Sequence, residues 1–272
     1  MLNHFLNADT TLQSIILIIL CLSFALASLY LLRRIRPIES RQKILDVHGH
    51  IFGVVGIIYA VLVGAIAIGS WEKFTHAEML ITKEASNAIS IYKLAPGLGN
   101  DQTKEVQTFM KNYLESAIHE EWPKMQKNIA PDMDEANLTA LTKRLMQIEP
   151  KKKSQELLMP MMIQEVNNLR AIREERLFLA KNTLNGAILK LVFLGSVLTI
   201  LACIFLESET SKFNSIALLS ILSVLIGLVL SAIIGLDHPY QGDLSVLPHP
   251  LESALGYINS GGNLTIPAII TK

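Results

Sequence analysis

The second apolar stretch of this chain, residues 51–71, reads IFGVVGIIYAVLVGAIAIGSW and contains no charged side chain. A helix rises 1.5 Å per residue, so a helix of this stretch is about 31 Å long, which matches the roughly 30 Å of hydrocarbon in a bilayer. The stretch therefore predicts a transmembrane helix, and the rest of the chain can be read outward from it.

Three further apolar stretches have the same character, namely Leu12 to Leu32, Ala187 to Leu206 and Phe213 to Leu236. Hydrophobic residues make up 50% of the 272 residues and charged residues only 18%, which is far from the composition of a soluble domain. The main charge within them, Lys190, falls in a first turn, where its long stem lets the ammonium reach the interface. We predict an all-α integral membrane protein with four transmembrane helices in two pairs.

The residues between the two pairs are polar and keep a helical period. The period continues from the second span without a breaker until Pro96 and Gly97. We therefore expect one continuous helix of about 45 residues, roughly 68 Å long. Three more helices are predicted, from Asp101 to Trp122 and Pro123, over about 131–149, and from Ser154 into the third span. The inserted helical domain is thus expected to be continuous with spans 2 and 3.

These features divide the chain into five segments. Residues 1–50 hold the first span, at about 12–32, and a basic loop, and residues 51–71 form the second span. The helical extramembrane domain follows over 72–186, the third and fourth spans over 187–236, and a C-terminal tail over 237–272. Within the tail, Pro248 and Pro250 predict a turn or loop in place of a regular helix.

The composition excludes several classes of function. The 24 basic residues balance 24 acidic ones, so we expect no nucleic acid as a partner. The sequence has no nucleophile elbow, phosphate loop or zinc motif, so we expect neither an enzyme nor a cofactor. Asp46, His48 and His50 have a spacing known from metal hydrolases. On a helix, however, the two imidazoles point about 200° apart, and we predict no metal site.

The charge of one short loop predicts the orientation. Loops rich in Lys and Arg tend to stay in the cytoplasm. The basic residues between positions 33 and 50 are Arg33, Arg34, Arg36, Arg41 and Lys43. The N-terminus, the helical domain and the C-terminus are then extracytoplasmic, and we expect the membrane to be a bacterial inner membrane, with its lipid as the first partner of the chain.

Two spans carry faces of small residues at spacings of three and four. The members of these faces are Gly49, Gly53, Gly56, Ala60 and Gly64 in the second span and Ser223, Gly227 and Ser231 in the fourth. Such a face can pack closely against another helix, or it can line a pore shared between subunits. Neither pair of spans has an acid or base at its centre, which favours a passive pore over proton-coupled or ion-coupled transport.

Several motifs occur in the order that one membrane family shows. They are Trp-Glu after the second span, Glu-Trp-Pro in the domain, two arginines before the third span, and Leu-Asp-x-Pro-aromatic-x-Gly after the fourth. The residues concerned are Trp71, Glu72, Glu84, Glu121, Trp122, Pro123, Arg173, Arg176, Leu236, Asp237, Pro239, Tyr240 and Gly242. The chain resembles, over most of its length after about Gly49, a bestrophin-like membrane family otherwise called a domain of unknown function. It departs from the family at 185–188, where proline and tryptophan are common.

The resemblance implies kinship with anion channels. We therefore expect a homo-oligomeric channel, with an inorganic anion as the candidate ion and the second span lining the pore. The residues expected to form buried pairs between helices are Glu72, Glu84, Glu121, Arg173 and Arg176, and Asp237 is expected to cap a helix or pair with an arginine at the membrane edge. The alternative is a structural or signalling membrane module whose helical domain binds a partner without conducting ions.

The resemblance and the loop charge give opposite orientations. Bestrophins themselves keep both termini and the middle domain in the cytoplasm. The cluster from Arg33 to Lys43 belongs to this sequence, and distant kinship need not preserve orientation. We therefore predict that the domain and both termini are extracytoplasmic.

Overall fold

The structure is a computed structural model that describes residues 10–35, 45–129, 136–184, 186–205 and 212–263. The described residues form helices and connecting turns, and they include no strand. The helices are α1 (Thr10–Ile35), α2 (Leu45–Leu94), α3 (Asn100–Ser116), α4 (Trp122–Gln126), α5 (Ala136–Met146), α6 (Lys153–Lys181), α7 (Gly186–Phe205), α8 (Lys212–Asp237) and α9 (His249–Asn259). The all-α prediction is confirmed.

Four of these helices are long and apolar enough to cross a membrane. The candidate spans are Thr11–Ile35, Gly53–Leu98, Gly186–Phe205 and Phe213–Asp237. They coincide with the four predicted stretches, because a run of about 20 apolar residues has no other stable place in a chain of this size. The second span also continues into the polar region as expected, since α2 is unbroken from Leu45 to Leu94.

The expected helical continuity with the third span is wrong. Helix α6 ends at Lys181, and its C-cap Asn182 has an extended backbone with φ −91° and ψ 110°. Residues 182–184 are not helical, and α7 begins at Gly186. The backbone N–H of Leu184 donates instead to the side chain of Asp237, with N and Oδ2 2.8 Å apart. This carboxylate provides an acceptor that helix α6 itself no longer offers.

The chain divides into two compact units. The first contains α1, α2 as far as Phe74, α7 and α8. Its core positions recur at spacings of four or seven residues, as one face of a helix requires. They are Leu17, Cys21, Ala25 and Leu29 on α1, Val192, Ser196, Ile200 and Ile204 on α7, and Leu219, Ser223, Leu230 and Ile234 on α8. Helices α1, α7 and α8 thus form a three-helix core.

The second unit contains α2 from Thr75, helices α3 to α6, and α9. Each of its longer helices buries apolar side chains completely, as Leu80, Met110, Leu141, Met162 and Leu251 show with exposed fractions of 1% or less. Burial of such a side chain stabilises a fold by about 1.5–3 kcal/mol. The second unit therefore combines most of the predicted domain, 72–186, with part of the C-terminal tail.

Two proline sites differ from their predictions. The helix expected to stop at Trp122 and Pro123 instead passes through a π-helical turn, Ala117–Glu121, into α4. The tail likewise contains α9, which begins beside Pro248 and Pro250. In the first turn of α9 the missing N–H of a proline removes no helical hydrogen bond. Pro123 directly follows the place where π-helical bonding gives way to α-helical bonding. At both sites the proline thus lies at the start of a helical segment and not in its interior.

Candidate pore span and buried ionic cluster

The small-residue face of α2 does not pack against the other residues that the structure describes. A Cβ atom added at Gly53, Gly56 or Gly64 would meet no described atom within 4 Å, apart from near neighbours in the helix. Ala60, in the middle of this face, is exposed. Gly49 falls within 45–52, where the side chains lie outside the described residues. Any packing surface for this face therefore lies outside the described residues.

Large apolar side chains of α2 are exposed as well. Ile57, Ile58 and Val61 each leave about two thirds of their surface uncovered, at 67%, 65% and 68%. In an 18-residue apolar segment of each span, the buried share is 6% for α2, compared with 22% for α1, 22% for α7 and 39% for α8. Among the four spans, α2 is therefore the one that the described residues cover least.

Tyr59 of α2 forms hydrogen bonds to α7. Its hydroxyl lies 2.8 Å from the carbonyl oxygen of Val192 and 2.7 Å from Ser196 Oγ, and it can donate to either. Gly195 makes this contact possible, because a Cβ there would lie 2.2 Å from the ring of Tyr59. Within the hydrocarbon, an internal acceptor for this hydroxyl avoids a cost of several kcal/mol.

The small residues of the fourth span lie against α1. A Cβ at Gly227 would come within 2.9 Å of Ile18 Cα. Ser231 Oγ lies 2.5 Å from Ser14 Oγ, and the buried Ser223 donates to the carbonyl oxygen of Leu219. Gly227 and Ser231 thus form a close helix-packing seam with α1, of the kind that small residues permit in membranes.

The second unit contains a buried cluster of two carboxylates and two guanidinium groups. Arg176 donates from Nε to Glu84 Oε2 at 2.6 Å, and from Nη2 to Glu84 Oε1 at 3.0 Å and to Glu121 Oε2 at 2.6 Å. Arg173 Nε donates to Glu121 Oε1 at 2.8 Å. Arg176 and Glu84 are 0% exposed. The charges balance, which is the condition under which such groups are tolerated in a protein interior.

Tyr113 belongs to the same cluster. Its hydroxyl donates to Glu84 Oε1 at 2.5 Å. Burial, together with the charge of Glu84, raises the pKa of Tyr113 well above its usual value, so the phenol stays protonated and remains a donor. In the sequence, Tyr113 is only one of several residues on the apolar face of a helix. Its role as a donor to Glu84 depends on the contact between α3 and α2, which the sequence does not show.

The charges within the cluster also set the pKa values of Glu121 and Arg176. Burial by itself raises the pKa of Glu121, but Arg176 and Arg173 outweigh burial and hold that pKa below its usual value. For Arg176, burial alone lowers the pKa, and the charges of Glu84 and Glu121 reverse this and raise it well above its usual value. Glu121 is therefore ionised and Arg176 protonated at neutral pH.

Asp237 links three segments of the first unit. Its Oδ1 lies 2.8 Å from Lys73 Nζ, and its Oδ2 accepts the N–H of Leu184. Lys73 also donates to the backbone carbonyl of Asp237. The partner of this carboxylate is thus a lysine on α2, where an arginine had been considered. Asp237 itself is 4% exposed.

Comparison with known proteins identifies the family. The model of the Bestrophin-like domain matches residues 19–251. The chain belongs to the Bestrophin-like family. A search of curated proteins found no match.

Solved structures share the fold of this Bestrophin-like chain. One is a variant of a bacterial bestrophin homologue from Klebsiella pneumoniae, with a TM-score of 0.68, 12% identity, and coverage of 93% of this chain and 100% of that one. Another variant of the homologue has a TM-score of 0.66 at 13% identity, covering 91% of this chain and 98% of that one. A structure described as a membrane protein gives 0.68 at 11% identity, covering 93% and 99%. At these identities the likeness concerns the fold alone.

The remaining Bestrophin-like motif residues occupy different places. Trp71 and Glu72 are exposed, and Glu72 is not among the residues of the ionic cluster. Trp122 is buried and meets Tyr240 edge to face, with ring centroids 5.6 Å apart. Pro123 lies in the first turn of α4.

Two motif residues shape the turn after α8. The carbonyl oxygen of Pro239 accepts the N–H of Val246 at 2.7 Å, which closes the loop between them. Gly242 has φ +72°, a left-handed conformation that glycine adopts without a steric penalty.

The described residues contain no group of three or more His, Cys, Asp or Glu side chains that could hold a metal ion. Asp46, His48 and His50 fall in the part of α2 whose side chains lie outside the described set. The expectation of no metal site at that motif stays a prediction.

Proposed function

We propose that this member of the Bestrophin-like family forms a homo-oligomeric channel for inorganic anions, with α2 lining the pore. The observation that carries the proposal is the bare face of α2, Gly53, Gly56, Ala60 and Gly64, which the rest of the described chain leaves uncovered. Small residues around a shared axis leave room for ions, and uncharged apolar walls can gate a pore by dewetting.

The arrangement of the other spans supports this assignment of roles. Helices α1, α7 and α8 bury their small and apolar faces against one another. They therefore have less free surface to offer a pore than α2 has. The anion preference rests on the family relation, and the absence of charge over 51–71 is compatible with a passive path.

Purified protein in liposomes tests the proposal. We expect single-channel currents with a reversal potential that follows the chloride gradient. Gly56→Phe should abolish them, because its ring would project from the bare face. Gly69→Phe is the matched control: it also has no described atom within 4 Å of its Cβ, but lies about 160° around the helix from Gly53.

Each outcome of this experiment decides a point. A block by Gly69→Phe with normal current in Gly56→Phe would place the opposite face of α2 at the pore. A cation-selective current would overturn the anion assignment. No current in any salt would remove the channel proposal and leave the module that binds a partner through its helical domain.

We also propose that both termini and the helical domain are extracytoplasmic in a bacterial inner membrane, from the basic loop at 33–50. A membrane-impermeant maleimide should label Gln126→Cys in intact cells, since Gln126 is exposed on α4. Ser40→Cys, in the basic loop, should react only after the cells are opened. The reverse pattern would place the domain in the cytoplasm.

A further inference from the structure

Two aromatic side chains of the second unit have buried polar tips. Trp122 Nε1 and Tyr240 Oη are shielded from solvent, and neither atom has a hydrogen-bond partner among the described residues. The two residues are 3% and 1% exposed. Buried N–H and O–H groups nearly always form a hydrogen bond, because burial removes their hydration and leaves its cost uncompensated. Tips of this kind are the usual sign of a bound polar molecule.

The fold holds these tips in one part of the interior. The rings of Trp122 and Tyr240 meet edge to face, with centroids 5.6 Å apart. Trp122 directly follows the π-helical turn Ala117–Glu121, an irregularity that is frequent at functional sites. The next residue after Tyr240 adds a third such atom, since Gln241 Oε1 is buried and has no partner among the described residues either. An indole N–H, a phenol hydroxyl and an amide oxygen thus occur together.

The phenol of Tyr240 stays protonated at neutral pH. Burial, the largest influence, raises the pKa of Tyr240 above its usual value. Arg176 acts in the opposite direction, and the charges of Glu84 and Glu175 act in the same direction as burial. The hydroxyl therefore remains able both to donate and to accept a hydrogen bond. Tyr240 also lies within electrostatic reach of the ionic cluster, in which carboxylates are paired with guanidinium groups.

The three polar atoms select the chemistry of a ligand. An indole N–H only donates, so the ligand needs an acceptor, which a metal cation lacks. An amide oxygen only accepts, so the ligand also needs a donor, which an inorganic anion lacks. Trp122, Tyr240 and Gln241 are 3%, 1% and 4% exposed, so the site is closed to all but small molecules.

We propose that Trp122, Tyr240 and Gln241 form a binding site for ordered water inside the second unit. Water accepts from Trp122 Nε1 and donates to Gln241 Oε1, while Tyr240 Oη bonds to it in either sense. A buried water typically forms about three hydrogen bonds with polar groups that the protein leaves unpaired. The site places water beside the buried ion pairs of Arg176, where it also solvates the neighbouring charges.

Crystals of the full chain in mild detergent, grown with sodium bromide in place of sodium chloride, test the ligand directly. At a resolution that shows ordered water, we expect a density peak about 2.7–3.2 Å from Trp122 Nε1, without anomalous signal at the bromine absorption edge. An anomalous peak there would identify an anion and overturn the proposal. So would tips that contact protein atoms only, or a site without any peak.

A series of tyrosine-to-phenylalanine variants tests the site in solution. Tyr240→Phe keeps the ring against Trp122 and removes the hydroxyl. A hydroxyl that binds water contributes hydrogen bonds, so its loss should lower the Tm by roughly 1–6 °C. A dry, unpaired hydroxyl opposes folding, and its removal would raise the Tm.

Two further variants calibrate this shift. Tyr113→Phe removes a hydroxyl that donates to Glu84 and is the reference for a loss. Tyr30→Phe is the control, because Tyr30 is 68% exposed, and its Tm should equal that of the wild type. A Tm for Tyr240→Phe equal to or above that of Tyr30→Phe would overturn the proposal.

Discussion

Replacement of Arg176 by methionine tests the role of the buried ionic cluster. Methionine keeps much of the volume and apolar stem of the side chain, but it removes the guanidinium that serves both Glu84 and Glu121. Glu84, which is 0% exposed, then keeps only the Tyr113 hydroxyl among the cluster contacts described above. Arg173 still compensates Glu121. The substitution thus leaves one buried carboxylate without its cation.

The expected magnitude follows from that uncompensated charge. Removal of one partner from a buried ion pair costs about 3–5 kcal/mol. For domains of 150–250 residues, which are somewhat shorter than this chain of 272, 1 kcal/mol corresponds to roughly 2–4 °C in Tm. We therefore expect the Tm of Arg176→Met to fall by roughly 6–20 °C. Thermal unfolding in detergent, followed by far-UV circular dichroism and tryptophan fluorescence, measures the change.

Two further variants isolate the cause. Arg144→Met breaks an exposed pair with Glu105, whose side chains are 53% and 35% exposed, and should cost about 0–1 kcal/mol. Adding Glu84→Gln to Arg176→Met removes the stranded charge and should recover part of the lost stability. A Tm for Arg176→Met equal to that of Arg144→Met would refute the reasoning, and so would a double variant that melts lower than Arg176→Met.

Three more predictions concern packing, the Asp237 contact and pH. Gly227→Ala should destabilise the protein by about 1–3 kcal/mol, because its Cβ would meet the backbone of α1 at 2.9 Å. Gly64→Ala should leave the Tm unchanged, since its Cβ meets no described atom within 4 Å. Equal Tm values for the two variants would contradict close packing of Gly227 against α1. Asp237→Asn should lower the free energy of unfolding by about 2 kcal/mol through loss of the charge-assisted bond to Lys73, and an unchanged urea midpoint would argue against this. Burial raises the pKa of Glu121, but the paired arginines lower it below its usual value overall. Its stabilising contribution is therefore complete above the pKa of the unfolded state and is lost as the pH falls through the lowered pKa of the folded state. Glu121→Gln should accordingly flatten the dependence of Tm on pH between 7 and 3, and parallel curves would exclude this contribution.

The four spans were predictable because each is encoded by a contiguous run of apolar residues. The continuous α2 was predictable for a similar reason, since its period holds until Pro96 and Gly97. The end of α6 was not, because the acceptor that holds Leu184 comes from Asp237, 53 positions away. Contacts of that range leave no local pattern in one sequence.

The ionic cluster was also predictable only in part. The motif residues Glu84, Glu121, Arg173 and Arg176 were candidates for buried pairs, and the structure brings these four together. Tyr113 could not be recognised, because a tyrosine on an apolar helix face usually only packs there. A polar tip on that face was the one available signal.

The π-helical turn at Ala117–Glu121 has a consequence for comparing related chains. The N–H of Trp122 bonds to the carbonyl oxygen of Ala117, five positions back, where a regular helix would use four. Deleting one residue here would restore a regular helix, yet it would rotate everything from Trp122 onward by about 100°. A one-residue gap in an alignment at 117–121 would therefore mark relatives in which other residues must provide the aromatic contact to Tyr240 and the carboxylate of Glu121.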